Sequence, residues 1–239
     1  MTWSIVARDP ASGAFAVAVT TCAFAVGARC PFVRSGVGAV ATQSMSNPYL
    51  GPAILDGLAR GLAPRAAIES VLSADEGSGI RQVHAVDAQG RAAAWTGKNC
   101  VDWCGHVTTD GFSVAGNMLT GPAVVGDTHK AFAARSELPF AERLVAALEA
   151  GQAAGGDKRG RQSACLLVTT SEDFPDINIR VDDHTEPLGE LGRMLALWRR
   201  TSEPRRHWFP TKARPSGETD LDLMETAWRD AGSTLRFRR

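Results

Sequence analysis

The second residue of the chain is a threonine, and its position offers a chemistry that an internal threonine lacks. The chain opens with Met1-Thr2, and threonine is small enough for removal of the initiator methionine to leave it at the N-terminus. A hydroxyl is a weak nucleophile that needs a base, and a free α-amine, with a pKa of about 7.7 to 8.0, accepts a proton at neutral pH. Thr2 would then supply both nucleophile and base. A Met-Thr start is common, however, and a solvated strand end is the simpler interpretation of this feature alone.

A polar, glycine-rich loop much later in the chain is the second candidate. Residues 155–164 read GGDKRGRQSA, and glycines at both ends allow unusual dihedrals or a close approach to a ligand. Asp157, Arg161, Gln162 and Ser163 bring charged and hydrogen-bonding groups into this short segment. A surface loop with a salt-bridged aspartate is the alternative. A phosphate-binding loop is disfavoured because the G-x-x-x-x-G-K-[ST] order is absent.

Two further residues stand out near the predicted strands. Asn117 follows Gly116 at the end of a predicted strand, where its side-chain N–H could donate to an oxyanion in acyl transfer, although Asn after Gly is also ordinary turn chemistry. Arg34 belongs to a segment poor in charge, in which Arg8, Asp9 and Arg29 are the other charged residues before position 56. We take Arg34 as a candidate substrate-binding residue, together with Arg161, Gln162 and Ser163.

Other catalytic chemistries have weaker support. Five scattered cysteines give an odd number, so reduced thiols are expected rather than a disulfide framework. Cys100, Cys104 and His106 have no second ligand pair to complete a tetrahedral zinc site. The sequence contains no G-x-S-x-G motif and no evident Ser-His-Asp arrangement. We therefore expect no metal and no cofactor, and Ser4, Cys22 and Ser163 remain as alternative nucleophiles.

The elements that must position these residues follow from hydrophobic periodicity and turn signals. Short apolar runs of strand character alternate with pairs of segments that repeat at helical spacing. The pattern predicts strands near residues 4–8, 14–19, 36–43, 82–86, 91–95, 112–115, 163–169 and 177–181, and helices near 54–62, 64–72, 123–134, 140–148, 186–199 and 220–231. This order is neither a βαβ alternation nor a pure β protein. It predicts an α+β fold with helices outside two stacked, mostly antiparallel sheets.

Composition limits the partners and the domain count. Acidic and basic residues balance to a net charge of zero, so a nucleic acid or an anionic membrane is not expected as a partner. No apolar run reaches the length of a membrane span, and we expect a soluble, cytoplasmic protein that binds a small molecule. Residues 1–200 form the predicted main domain. Residues 201–239 form a C-terminal appendage, and the exposed aromatics expected between Trp198 and Trp208 suggest subunit docking and a homo-oligomer.

The candidate stretches together resemble one family. They are similar to the DUF1028 proteins, a bacterial family of unknown function assigned to the N-terminal-nucleophile (Ntn) hydrolase superfamily. The resemblance rests on residues 2–9 (TWSIVARD), 36–43 (GVGAVATQ), 116–117 (GN), 155–164 (GGDKRGRQSA) and 180–184 (RVDDH). It covers roughly the first two hundred residues, and the segment 155–164 is its most specific part.

The resemblance implies both a fold and a reaction. The superfamily fold is a four-layer αββα sandwich, and its reaction is hydrolysis of an amide bond by an N-terminal Thr, Ser or Cys. Carried over to this chain, Thr2 would be nucleophile and base, with Asn117 and Asp157 as further catalytic residues. The implied substrate is a small amide, lactam or acylated amino compound. The alternative is a binding or assembly protein that keeps the sandwich without catalysis, since a fold alone does not fix a function.

Overall fold

The computed structural model describes residues 2–234 and 236–237, and in them the chain forms ten strands and six α-helices. The strands are β1 (Thr2–Arg8), β2 (Phe15–Thr21), β3 (Pro31–Arg34), β4 (Gly38–Ser44), β5 (Arg81–Asp87), β6 (Ala92–Thr96), β7 (Gly105–Thr109), β8 (Phe112–Asn117), β9 (Ser163–Thr169) and β10 (Ile177–Val181). The helices are α1 (Leu50–Ala59), α2 (Pro64–Leu72), α3 (Pro122–Ala134), α4 (Phe140–Ala153), α5 (Pro187–Thr201) and α6 (Leu221–Asp230).

The strands form two antiparallel sheets. The first sheet has the order β10-β9-β2-β1-β8-β7, and the second has the order β3-β4-β5-β6. Strand β1 therefore lies near the middle of the larger sheet, paired with β2 on one side and β8 on the other. Its first residue, Thr2, pairs with Asn117, so the start of the chain is held inside the sheet rather than at its edge.

The two sheets stack face to face, and a pair of helices covers the outer face of each. Helices α3 and α4 pack on the larger sheet, whereas α1 and α2 pack on the smaller one. Proline at the first position starts α2 and α3, where its missing N–H would have had no partner within the helix. The predicted four-layer αββα sandwich of two antiparallel sheets is confirmed.

The space between the two sheets changes from apolar to polar along the strands. Side chains alternate between the two faces of a strand, so Thr2, Ser4 and Val6 of β1 all face the same side. At one end this layer is apolar, with Val6, Phe15 and Val86 in its core. At the other end it is polar, because Ser4 hydrogen-bonds to Gln43 and His84 from the opposite sheet. Thr2, two residues before Ser4 on the same face of β1, lies further toward the polar end.

Two strands of the structure are missing from the sequence-based prediction. Strands β3 and β7 were not predicted: β3 has only four residues and begins with a proline, and β7 is an edge strand whose side chains are mostly exposed. Such a strand has little apolar alternation to signal it.

The chain divides into two compact units, one through Ala196 and one from Leu197 onward. The C-terminal unit contains the end of α5, a short 3₁₀ helix at Glu203–Trp208, and α6. Its core is aromatic: Trp208 packs edge-on against Trp228, with ring centroids 6.0 Å apart. The predicted division at residue 200 and the predicted role of this unit in subunit docking stay predictions.

Three findings concern metals, disulfides and membranes. All five cysteines are free thiols. No cluster of three metal-ligating side chains occurs in residues 2–234 and 236–237. Within those same residues, no helix combines the length and the apolar character needed to cross a membrane.

Candidate active site around Thr2

Thr2 lies at the end of the inter-sheet space with its side chain mostly buried. Only 7% of the residue is exposed, and its Oγ1 donates a hydrogen bond to Oγ1 of Thr21 at 3.2 Å. Thr21 is the last residue of β2, the strand next to β1. The two threonine hydroxyls thus lie side by side, at the first residue of β1 and the last residue of β2. Met1 lies outside the described residues.

A pocket of about 140 Å³ opens beside Thr2. A cavity of about 150 Å³ accommodates a benzene molecule, so this pocket accepts a small ligand. Three segments form its walls: the start of β1 with the end of β2, the loop after β2, and the end of β4 with the residues that follow. The lining residues are Thr2, Thr21, Ala23, Phe24, Val26, Arg29, Cys30, Thr42, Gln43, Ser44 and Ser46.

The backbone around this pocket is unusual. Ala25, Ser44 and Met118 are the non-glycine residues with positive φ in the described chain, at 54°, 70° and 60°. Ser44 lines the pocket, Ala25 lies in the loop that lines it, and Met118 follows Asn117. Such conformations are uncommon outside glycine and concentrate at functional sites. Their positions around Thr2 are a second, independent indication that this end of the sandwich holds a functional site.

Ser163 fixes the loop that forms one pocket wall. Its Oγ donates to the carbonyl of Ala23 at 2.6 Å and accepts from the backbone N–H of Val26 at 3.1 Å. Ser163 is fully buried and pairs with Thr21 in the β2–β9 register. The predicted site residue Ser163 therefore lies behind the pocket wall and does not line the pocket.

Asp157 anchors the start of the same loop. Its side chain is fully buried, and its carboxylate accepts from the backbone N–H of Cys22 at 2.9 Å. The backbone N–H of Arg159 also donates to it at 2.8 Å, and the Arg159 guanidinium forms an ion pair with it at 3.2 Å. Asp157 thus connects the glycine-rich loop to the residue after Thr21.

Gly155 of this loop is required by its backbone conformation and by close packing. Gly155 has a φ of 118°, and a Cβ built there would lie 2.3 Å from the hydroxyl oxygen of Thr120. Any other residue would be strained at this φ and would displace the Thr120 side chain. Since Thr120 N–H donates to the carbonyl of Gly156 at 3.1 Å, the loop is fastened to the segment that follows Asn117.

Asn117 lies directly across from Thr2. Its Nδ2 donates to Oε1 of Gln82 at 2.9 Å and, through a longer bond of 3.4 Å, to the carbonyl of Thr2. Its Oδ1 is buried without a hydrogen-bond partner within the described residues. A buried orphan acceptor costs about 1–3 kcal/mol, so this oxygen is an available acceptor beside the candidate nucleophile.

A buried polar network continues from Asn117 between the sheets. Gln82 links Asn117 to Gln43, whose Nε2 donates to Gln82 Oε1 at 2.8 Å. Gln43 Oε1 in turn accepts from Ser4 Oγ at 2.7 Å, and Ser4 contacts Nε2 of His84 at 2.8 Å. Sequence reasoning missed this network, because a polar side chain in a strand does not reveal its partner on another strand.

The network fixes the protonation of His84. Ser4 has one hydroxyl proton, which it donates to Gln43 Oε1 because that atom can only accept. His84 Nε2 must therefore carry the proton shared with Ser4, and Nδ1 accepts from the Ser113 hydroxyl at 3.1 Å. Burial lowers the pKa of His84 to about 3. His84 is thus a neutral structural donor, and the fully buried Ser4 is closed to substrate.

Three other predicted site residues lie outside the Thr2 pocket. Arg34 forms an ion pair with Asp56 at 2.9 Å and borders a different cleft. Arg161 pairs with Glu186, and Gln162 Nε2 donates to Asp183 at 3.1 Å. The role of these three side chains in substrate binding stays a prediction.

Arg161 and Gln162 instead border a surface groove of about 510 Å³. Cys22, an alternative nucleophile, lies in the same groove and its Sγ contacts the carbonyl of Arg159 at 3.5 Å. The structure thus brings together Thr2 and Asn117, and it places Asp157 and Ser163 behind the pocket wall.

Comparisons with known proteins identify the family. The model of the family of unknown function DUF1028 matches residues 2–191. A crystal structure of a DUF1028 protein from Silicibacter pomeroyi is similar to the chain, with 33% sequence identity and a TM-score of 0.85. That match covers 92% of this chain and 96% of the other. No curated protein matches the chain.

Two structures of Anbu, the ancestral beta-subunit, match more distantly. The protein from Yersinia bercovieri has 11% identity and a TM-score of 0.37, covering 83% of this chain and 97% of the other. A mutant from a Hyphomicrobium species has the same identity and TM-score, with coverages of 88% and 100%. The family assignment rests on the DUF1028 match, and the chain belongs to the DUF1028 family.

Proposed function

We propose that this protein hydrolyses an amide bond in a small molecule through an acyl-Thr2 intermediate. The single observation that carries the proposal is the place of the Thr2 hydroxyl: it lines a pocket of about 140 Å³, at the first position of a central strand. The family resemblance supports the proposal, because it implies a superfamily in which an N-terminal residue acts as nucleophile. Removal of Met1 is the precondition.

The first half of the reaction transfers the acyl group to the enzyme. The α-amine of the mature Thr2 takes the proton from Oγ1, which attacks the amide carbonyl carbon. The tetrahedral intermediate then collapses, the C–N bond breaks, and the α-ammonium returns its proton to the leaving amine. An acyl ester on Thr2 Oγ1 remains. In the second half, water adds to this ester with the α-amine as base, and the acid leaves as Oγ1 regains its proton.

Asn117 supports this reaction in two ways. Its long hydrogen bond to the Thr2 carbonyl, at 3.4 Å, is weak enough for Nδ2 to turn toward an oxyanion. Its buried, unpaired Oδ1 is suited to accept a hydrogen bond from the α-ammonium that forms during proton transfer. Asp157 and Ser163 act in this scheme as positioning residues, since they hold the loop of the pocket wall.

The test compares the native protein with two Thr2 variants and one control. Intact mass spectrometry first determines whether Met1 is absent. Wild type, Thr2→Ser, Thr2→Ala and Cys22→Ala are then incubated with a panel of small N-acyl compounds, with the released amine measured by fluorescamine. We expect turnover by wild type, Thr2→Ser and Cys22→Ala, and a loss of at least about a thousandfold in Thr2→Ala.

Two results would overturn the proposal. An active preparation that retains Met1 would exclude catalysis by the α-amine of Thr2. Equal ligand binding by wild type and Thr2→Ala, with turnover by neither, would instead favour a non-catalytic binding protein with the same sandwich.

A further inference from the structure

Arg29 stands out among the residues that line the Thr2 pocket. It is the one charged side chain among the described lining residues, it is exposed, and no hydrogen bond or ion pair engages its guanidinium within the described part of the chain. The arginines of the neighbouring loop differ in this respect, because Arg159 pairs with Asp157 and Arg161 pairs with Glu186. The positive charge of Arg29 is therefore available to a ligand in the pocket.

The backbone that carries Arg29 is well anchored. Arg29 ends a short 3₁₀ turn, and its N–H donates to the carbonyl of Val26 at 3.2 Å. The N–H of Val26 donates to the buried hydroxyl of Ser163, and the carbonyl of the next residue, Cys30, accepts from Thr42 N–H at 3.0 Å. The side chain therefore extends from a fixed point, which reduces the entropy lost on binding a ligand.

The rest of the pocket wall favours a polar, negatively charged ligand. Five hydroxyl side chains line it, on Thr2, Thr21, Thr42, Ser44 and Ser46, and no acidic side chain is among the described lining residues. A guanidinium fork matches a carboxylate in geometry and charge. None of the described lining residues is acidic, so none of them competes with such a ligand for Arg29.

We infer that the substrates are small amides that carry a free carboxylate, and that Arg29 binds this carboxylate while the amide carbonyl lies at Thr2. Both residues line one pocket of about 140 Å³, so a single short molecule reaches both. The inference rests on the proposed function for its reaction, but the binding of the carboxylate can be measured without turnover.

Two kinds of molecule have this chemistry. In an N-acylamino acid the carboxylate leaves with the amine, whereas in the monoamide of a dicarboxylic acid it stays on the acyl group attached to Thr2 Oγ1. In both, hydrolysis adds one water across the C–N bond and produces one acid and one amine. The mass of the acylated enzyme separates the two, because only the second gives an acyl group with its own carboxylate.

The test measures binding to the Thr2→Ala variant by isothermal titration calorimetry at low ionic strength. The probes are two matched pairs, N-acetylglycine with N-acetylglycinamide, and succinamic acid with succinamide. Arg29→Met removes the charge and keeps a flexible chain, whereas Arg29→Lys keeps the charge without the fork. Arg60→Met is the matched control, since Arg60 is an exposed arginine at the end of α1 with no ion pair in the described residues.

We expect at least one carboxylate probe to bind about tenfold or more tightly than its neutral partner. Arg29→Met should remove this preference, Arg29→Lys should keep part of it, and Arg60→Met should keep all of it. A preference that survives Arg29→Met, equal binding within both pairs, or no binding of any probe would overturn the inference.

Turnover separates failure of the inference from failure of the proposed function. Wild-type hydrolysis of neutral amides, without a carboxylate preference, would leave acyl-Thr2 chemistry standing and refute the role of Arg29. Carboxylate binding that depends on Arg29, without hydrolysis by wild type, would support the binding site and refute the reaction.

Discussion

The hydroxyl of Thr2 donates to the hydroxyl of Thr21 at 3.2 Å, across two neighbouring central strands. Thr21 is also the residue opposite Ser163 in the β2–β9 register. The candidate nucleophile and the glycine-rich loop are distant in sequence, but only one strand separates them in the sheet. Thr21 is thus the structural link between two of the stretches on which the family resemblance rests.

The first prediction concerns this link. Thr21→Val keeps the β-branched shape and removes the acceptor for Thr2 Oγ1, so the nucleophile loses one orienting contact. We expect acylation of Thr2 to slow by about tenfold, which corresponds to about 1.4 kcal/mol for one hydrogen bond. Single-turnover kinetics followed by intact mass would measure the rate. Thr20→Val is the control, because Thr20 Oγ1 donates to the carbonyl of Ser163 instead, and its acylation rate should stay within about twofold of wild type.

The second prediction concerns the pocket wall. Ser163→Ala leaves the carbonyl of Ala23 and the N–H of Val26 without their partner. We expect the free energy of unfolding to fall by about 2–4 kcal/mol, since each unsatisfied buried group costs about 1–3 kcal/mol. Urea denaturation gives the total. Hydrogen exchange should locate the effect, with faster exchange at the Val26 amide and little change at amides of β5.

The third prediction concerns the anchor of the same loop. Asp157→Asn removes the negative charge that pairs with Arg159 and weakens the acceptor for the Cys22 N–H. Because the carboxylate is buried, we expect a loss of about 1–3 kcal/mol of stability. Asp127→Asn is the control, since Asp127 forms only an exposed pair with Lys130 at 3.5 Å and such pairs contribute little. Equal thermal melting of the two variants would contradict the anchoring role.

The fourth prediction concerns pH. Burial lowers the pKa of His84 to about 3 from its ordinary value of 6.5, so between these values the unfolded chain binds a proton that the folded chain does not. The contribution of His84 to stability is therefore complete above pH about 6.5 and declines as the pH falls toward about 3, by up to about 1.4 kcal/mol per pH unit. Urea denaturation across this range measures the slope.

A variant isolates the contribution of His84. His84→Gln should be less stable than wild type at neutral pH, because it disturbs the bonds to Ser4 and Ser113, yet its stability should decline less steeply with acid. His207→Gln, at an exposed position of the C-terminal unit, should retain the wild-type slope. Parallel slopes for wild type and His84→Gln would show that another group titrates.

Much of the fold could be predicted from local patterns. The hairpin of β1 and β2, the pair α1 and α2, and the strand β9 each have a periodicity and turn signals that identify them. Strand β7 has neither, since most of its side chains face solvent. The αββα layering followed from the order of the elements together with the family resemblance.

The site was less predictable for a physical reason. Thr2 became a candidate because it follows Met1 in the sequence. The pocket walls come from the end of β4 and the loop after β2, and no local pattern tells which strand of one sheet lies over which strand of the other. Arg29 was visible as a rare charge in an apolar segment, but its place beside Thr2 required the structure.

The buried polar network between the sheets has a consequence for the evolution of the family. The single side chain of Gln43 hydrogen-bonds to Ser4, to Gln82 and to the carbonyl of Ala115. Replacing Gln43 therefore leaves several buried groups without partners at once. An apolar residue becomes acceptable there only when its partners change with it. Substitutions at positions 4, 43, 82 and 84 should therefore be correlated among family members. The apolar positions 6, 15 and 86 should instead vary independently of one another, as long as the side-chain volume is conserved.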